Sequence, residues 1–182
     1  DPSWAAADIA TSADGARSVF AADMDNDGDM DILSTSYSDD TIALYKNTME
    51  KGMIGSWTAA DITTSADGAK DVFAIDLDND GDIDVLSAAD NAGGFVVWYE
   101  NNGSESFTAH TNSFNTNKGN ESPMSVYAID MDNDGDIDVL SNTGCNGRVL
   151  WFENNGSQSF TTREVASAGN GGIDVYAIDL DR

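Results

Sequence analysis

Apolar residues fall along this chain in short runs separated by clusters of Asp, Asn, Gly and Ser. The middle of the chain shows the pattern clearly. Val72–Asp76 is apolar and partly β-branched, and so is Ile83–Leu86. Gly94–Tyr99 (GFVVWY) is apolar throughout, and Ser106–His110 follows as a further extended run after Asn101-Asn102-Gly103-Ser104. Gly supplies positive φ, and Asn and Ser supply local side-chain hydrogen bonds, so the polar clusters read as turns. No window sustains a 3.6-residue apolar period, so the pattern predicts strands and no helix.

These four strands recur as a unit. SVFAADMDNDGDMDILS (Ser18–Ser34) aligns with DVFAIDLDNDGDIDVLS (Asp71–Ser87) and SVYAIDMDNDGDIDVLS (Ser125–Ser141), and DVYAIDLDR (Asp174–Arg182) begins a fourth copy. The leading aspartates, Asp23, Asp76, Asp130 and Asp179, lie 53, 54 and 49 residues apart. WYENNGSESFTAH (Trp98–His110) matches WFENNGSQSFTTR (Trp151–Arg163), with Leu44–Ala60 a looser copy, and Trp4–Ala16 matches Trp57–Ala69. Fully apolar third strands imply burial on both faces, as in the packed blades of a β-propeller, and about 50 residues per unit suits a four-stranded blade. The expected blades are 18–63, 71–112 and 125–166, with 1–17 the last strand of a preceding blade (Trp4–Ile9) and 172–182 the first of a following one (Val175–Asp179).

The nonapeptide between the first two strands carries the candidate chemistry. Numbered from Asp76, carboxylates stand at positions 1, 3, 5 and 9 (Asp76, Asp78, Asp80, Asp84), Gly81 at position 6 permits a sharp turn, and Asp82 at position 7 offers its carbonyl. Such an oxygen set suits a hard cation, and calcium takes about 6–8 oxygens. Magnesium prefers a compact octahedron with several waters, and zinc wants His or Cys. An acidic, solvated hairpin tip has no need of fixed spacing and an internal Gly in each copy.

Composition sharpens this reading. Asp and Glu number 33 against 8 Lys and Arg, a formal charge of −25, which excludes the clustered cations that nucleic acid or anionic lipid would need. Fifteen of the acids sit in the nonapeptides, between apolar flanks that a disordered acidic tract would lack. No stretch approaches the ~18 apolar residues of a membrane span. Cys145 is the single cysteine, so no internal disulfide forms. The chain opens at Asp1 without a visible signal peptide, as a mature protein or an excised fragment would.

EF-hand loops share D-x-D-x-D-G but close with Glu at position 12, where this chain has Ser34, Ser87 and Ser141. The D-x-D-x-D-G-x-x-D loop, the period and the W-Y-E-N-N-G-S tail resemble FG-GAP/VCBS-type repeats, the calcium-bearing blades of integrin-α-like propellers, although the literal F-G and G-A-P tripeptides are absent. The resemblance implies an all-β fold, about three and a half blades of a ring that often has seven, in a secreted or surface protein. It implies calcium ligands at Asp23, Asp25, Asp27, Asp29 (carbonyl) and Asp31, at Asp76, Asp78, Asp80, Asp82 (carbonyl) and Asp84, and at Asp130, Asp132, Asp134, Asp136 (carbonyl) and Asp138. A fourth, truncated loop retains Asp179 and Asp181. With dissociation constants of ~10⁻⁴ M in millimolar calcium, each site adds roughly 1.4 kcal/mol, so three sites suit a calcium-rich exterior. Propellers close with about 4–8 blades. Three units therefore read as part of a longer polypeptide, as one of several chains that complete a ring, or as a designed or proteolytic half-ring.

Outside the loops, Trp98, Tyr99, Trp151 and Phe152 read as core rather than sugar platforms, and His110 as an isolated surface residue. Arg17, Lys70 and Arg148 are expected to pair with loop acids. Asn102, Asn120 and Asn155 head N-x-S sequons, and NNGS is equally good turn chemistry. The irregular insert Phe114–Met124 is the expected place for a binding function. Together these features point to a non-enzymatic extracellular module for adhesion or assembly, with protein or glycan partners. The alternatives are a carbohydrate-active protein (a lectin or a lyase portion) and a purely structural part of a surface assembly.

Overall fold

Twelve strands form among the residues described by this computed structural model, which are 8–48, 56–90, 95–114, 122–167, 169 and 171–180. The first sheet holds β1 (Ala16–Ala22), β2 (Asp31–Ser36), β3 (Thr41–Asn47) and β4 (Trp57–Thr63). The second holds β5 (Ala69–Ile75), β6 (Asp84–Ala89), β7 (Phe95–Asn101) and β8 (Phe107–Phe114). The third holds β9 (Pro123–Ile129), β10 (Asp138–Thr143), β11 (Arg148–Asn154) and β12 (Phe160–Ser167). Each sheet is an antiparallel meander in sequence order. No helix occurs among the described residues, and none is long and apolar enough to cross a membrane.

The sheets stack face to face, and period-two alternation explains how the middle one is buried twice. Val85, Val97 and Tyr99 join Met24, Leu33, Ile42 and Leu44 of the first sheet. Their neighbours Leu86, Val96 and Trp98 point the other way and join Val126, Val139, Leu150 and Phe152 of the third. A strand packed on both faces has no polar side, which is why GFVVWY is apolar throughout. In the second and third sheets the fourth strand carries most of the exposure, and in the first sheet β1 shares it with β4.

The first strands line up along one edge of the stack, with β1 beside β5 and β5 beside β9. Phe20, Phe73 and Tyr127 occupy one register position and touch in series, with centroids 4.8 and 5.0 Å apart. Asp71 fastens the three sheets at this edge. Its Oδ1 accepts the Ser18 hydroxyl at 2.7 Å, and its Oδ2 accepts the Val126 N–H at 3.0 Å.

The beginning of the fourth unit differs from expectation. Residues 171–179 form no strand, because strand geometry is held by a hydrogen-bonded neighbour and no described segment pairs with Val175–Asp179. The Tyr176 ring nevertheless follows Tyr127 at 4.7 Å, continuing the aromatic series. Of the run expected at Trp4–Ile9, residues 4–7 lie outside the described residues, and Asp8 to Ala10 form no strand. Of the Phe114–Met124 insert, residues 115–121 also lie outside them.

Candidate metal centres

Residues 23–30, 76–83 and 130–137 link the first strand to the second in each sheet. Each loop folds on its own carboxylates. Asp23 Oδ1 accepts the Asp27 N–H at 3.1 Å, Asp23 Oδ2 accepts the Gly28 N–H at 3.0 Å, and Asp27 Oδ1 accepts the Asp29 N–H at 2.9 Å. The same three bonds are 3.1, 3.0 and 2.9 Å in the second loop and 3.2, 3.1 and 2.9 Å in the third. The turn requires left-handed backbone at two positions. Asn26, Asn79 and Asn133 adopt φ of 59°, 61° and 61°, which Asn tolerates. Gly28, Gly81 and Gly135 adopt 92°, 98° and 99°, where a side chain is strained.

This backbone gathers one carboxylate oxygen from each of Asp23, Asp25 and Asp27 within 4.8 Å of one another, and likewise from Asp76, Asp78 and Asp80 and from Asp130, Asp132 and Asp134. Three anionic oxygens at that spacing, in loops that contain no His or Cys, fit a hard divalent cation. Asp31, Asp84 and Asp138 stand apart from these triads. They are 1 %, 0 % and 1 % exposed, and each carboxylate accepts two backbone N–H groups. For Asp84 the donors are Leu77 at 3.2 Å and Asn101 at 2.7 Å; Asp31 takes Met24 and Asn47, and Asp138 takes Met131 and Asn154. The ninth position therefore ties the loop to the end of the third strand. Each oxygen keeps a second acceptor site for a cation. Burial pushes the Asp84 carboxyl up to about 7 against the pull of its two backbone donors, and raises Asp31 in the same way. Burial, then the charge of Asp80, raises Asp78. Of the fourth loop, Asp179 is exposed and Asp181 lies outside the described residues.

The sequence profile of the FG-GAP-like repeat matches the chain three times, at residues 23–87, 76–141 and 130–182. The chain belongs to the FG-GAP-like repeat family. No curated protein matches it. Each FG-GAP-like match begins at the first aspartate of a loop and, for the first two, ends on the second strand of the following sheet.

Several residues of these repeats act where the sequence alone did not place them. Among the described residues, the cation that reaches a loop is Lys46, whose Nζ lies 2.9 Å from Asp25 Oδ2 and 2.5 Å from Glu105 Oε1. Its hydrogen bond holds the Asp25 carboxyl below the usual range. The three cations expected at the loops go elsewhere: Lys70 pairs with Asp90 at 2.9 Å, Arg148 with Glu164 at 2.9 Å, and Arg17 lies over the Tyr37 ring. His110 is not isolated, since it stacks on Trp98 at 4.3 Å and meets Glu100 at 2.6 Å. Asn101 and Asn154 were missed. Asn101 Oδ1 accepts the Gly103 and Glu105 N–H groups while its Nδ2 donates to the Ile83 carbonyl, and Asn154 bonds Gly156 and Ile137 equivalently. Recurrence at Asn47, Asn101 and Asn154 was the available signal.

Trp98, Tyr99 and Phe152 are buried, as core residues should be, and Trp151 is half-buried. Asn102 and Asn155 are exposed and close their turns through Oδ1, accepting Ser104 and Ser157 N–H groups; Asn120 lies outside the described residues. Cys145 is a free, exposed thiol. At the opposite ends of the first strands a cleft of about 490 Å³ opens between Arg17, Tyr37, Lys70, Asp90, Met124 and Asp174.

Proposed function

We propose that this chain is a calcium-stabilised, non-enzymatic β-propeller segment that serves extracellular adhesion or assembly. The observation that carries the reading is the threefold recurrence of one aspartate triad on one hairpin of successive sheets. Calcium is favoured over magnesium because the loops offer many oxygens rather than a compact octahedral cage. When bound, the ion supplies the positive charge that the clustered carboxylates lack. Asp23, Asp25 and Asp27, with their equivalents, would hold it, and the carbonyls of Asp29, Asp82 and Asp136 and the carboxylates of Asp31, Asp84 and Asp138 would complete the set. Calcium at millimolar concentration outside cells is matched to such sites, which supports reading the protein as secreted or surface-borne.

The ends of the stack support a further unit as partner. Val72 and Val126 are 3 % and 4 % exposed beneath the preceding sheet, whereas the equivalent Val19 is 71 % exposed. Met24 and Leu77 are 2 % and 0 % exposed beneath the following sheet, and the equivalent Met131 is 38 % exposed. Like units of a longer chain, or of other subunits, would cover both faces and continue toward a closed ring, often of seven blades. A protein or glycan is then the external ligand. Thermal melting with excess calcium, with magnesium and with chelator tests the metal role. Calcium is expected to raise the melting temperature by several degrees and magnesium by less, whereas coincident curves would overturn the reading.

A further inference from the structure

Resting on that metal reading, we propose that the three loops are unequal cation sites, the first being weak because Lys46 already occupies its electrostatic role. The aspartates of the three loops are the same in number and spacing, so any difference must come from around them. One position differs decisively. Leu44, Trp98 and Trp151 face Leu33, Leu86 and Leu140 in the strand registers, which makes Lys46, Glu100 and Glu153, two residues further on, structural equivalents. A cation therefore stands in the first unit where the other two carry a carboxylate.

The contacts follow that exchange. Lys46 bridges Asp25 of its own loop at 2.9 Å and Glu105 of the second unit at 2.5 Å, with all three side chains 21–28 % exposed. Glu105 occupies a left-handed turn position with φ 54°, and its equivalent in the third unit is Gln158 with φ 51°. The acid that receives the lysine is thus a neutral amide where there is no lysine to receive. In the second unit Glu100 is held by His110 at 2.6 Å, and in the third Glu153 is held by Arg163 at 2.5 Å. Those partners, His110 and Arg163, sit on the fourth strands, not on the triads.

The difference between Lys46 and a glutamate is two formal charges at one place beside a divalent ion, partly offset by Glu105 beside Lys46 and by Arg163 beside Glu153. Even at the dielectric of water, a change of that size within several ångströms shifts affinity by roughly tenfold or more. To bind at the first loop, a calcium ion must displace or repel an ammonium that already satisfies Asp25. At the second and third loops it relieves repulsion instead. The first loop is accordingly a hairpin that holds its shape and its tie to the second unit without metal, and the other two depend on the ion.

The test is a calcium titration of the chelated full chain, read by calorimetry and by the backbone amide signals of Gly28, Gly81 and Gly135, each hydrogen-bonded to the first aspartate of its own loop. Gly81 and Gly135 are expected to saturate at calcium concentrations about tenfold or more below Gly28. Lys46→Glu is expected to bring Gly28 to the others. Glu100→Lys is expected to weaken the Gly81 response, and Glu105→Gln, which removes the tether but keeps the cation, to leave Gly28 late. Three coincident responses in the unaltered chain, or a Gly28 response unmoved by Lys46→Glu, would overturn the proposal while leaving the metal reading intact. No calcium uptake at any loop would overturn the metal reading itself.

Discussion

The ninth aspartate of each loop is a charge held almost without water. Asp84 is fully buried, and its carboxyl, raised to about 7, faces two backbone N–H donors. An unfolded aspartate titrates near ~4. Between those values the folded, metal-free protein binds a proton that the unfolded chain releases, so its stability falls as pH rises from about 4 to 7 and levels off above. The loss is on the order of 2–4 kcal/mol. Denaturant melts in chelator at pH 5 and pH 7.5 should show it, and Asp84→Asn should remove most of the slope; a flat profile in the unaltered protein would return Asp84 to ordinary behaviour. Glycines separate two kinds of constraint. Gly81 has φ 98° and open space around a would-be Cβ, so Gly81→Ala should cost only backbone strain, about 1 kcal/mol. Gly103 has φ 74° and a would-be Cβ 2.5 Å from Asp82 Oδ2, so Gly103→Ala should cost clearly more, about 2–3 kcal/mol. Equal losses in denaturant unfolding would mean that φ alone selects both.

Elements were legible where one physical rule governs them. Runs such as Val85-Leu86 and Val96-Val97-Trp98 are apolar because each neighbour serves a different sheet interface, so the run announces a strand buried twice. Contacts between units were not legible, since they join residues about 50 positions apart with no local pattern. Lys46 reaches Glu105 in this way, and Asp71 reaches Ser18 and Val126. The segment at Val175–Asp179 repeats the sequence of a first strand yet forms none, because a ladder belongs to two segments and sequence describes one. Asp71 offers the clearest test of coupling between sheets. Asp71→Ala leaves the Val126 N–H and the Ser18 hydroxyl without their acceptor, which should cost about 1–3 kcal/mol. Ser18→Ala removes one of those bonds and should cost about 1 kcal/mol. Chemical denaturation of both variants measures the difference, and a loss for Asp71→Ala no larger than for Ser18→Ala would show that the third sheet is held without this carboxylate.

At the scale of the molecule, charge and packing oppose one another. The chain carries 33 acids and 8 basic side chains, a formal charge of −25, and its stacked sheets set the densest acid on three hairpins at the same ends of their first strands. Composition made this legible at once. It did not reveal that Lys46 answers the first hairpin, because that depends on where the third strand ends relative to the loop. Like charges at close range destabilise the compact state, and mobile ions screen them within a Debye length of ~30 Å at 0.01 M but only ~3 Å at 1 M. Metal-free protein should therefore gain several degrees of melting temperature when potassium chloride rises from about 0.01 M to 0.5 M. Saturating calcium neutralises the loops locally, so the same salt step should then add much less. Melting curves at four conditions, with and without calcium at low and high salt, give the interaction directly. If salt stabilised the calcium-loaded and chelated forms equally, the repulsion would belong to the general surface, and the hairpins would not be its focus.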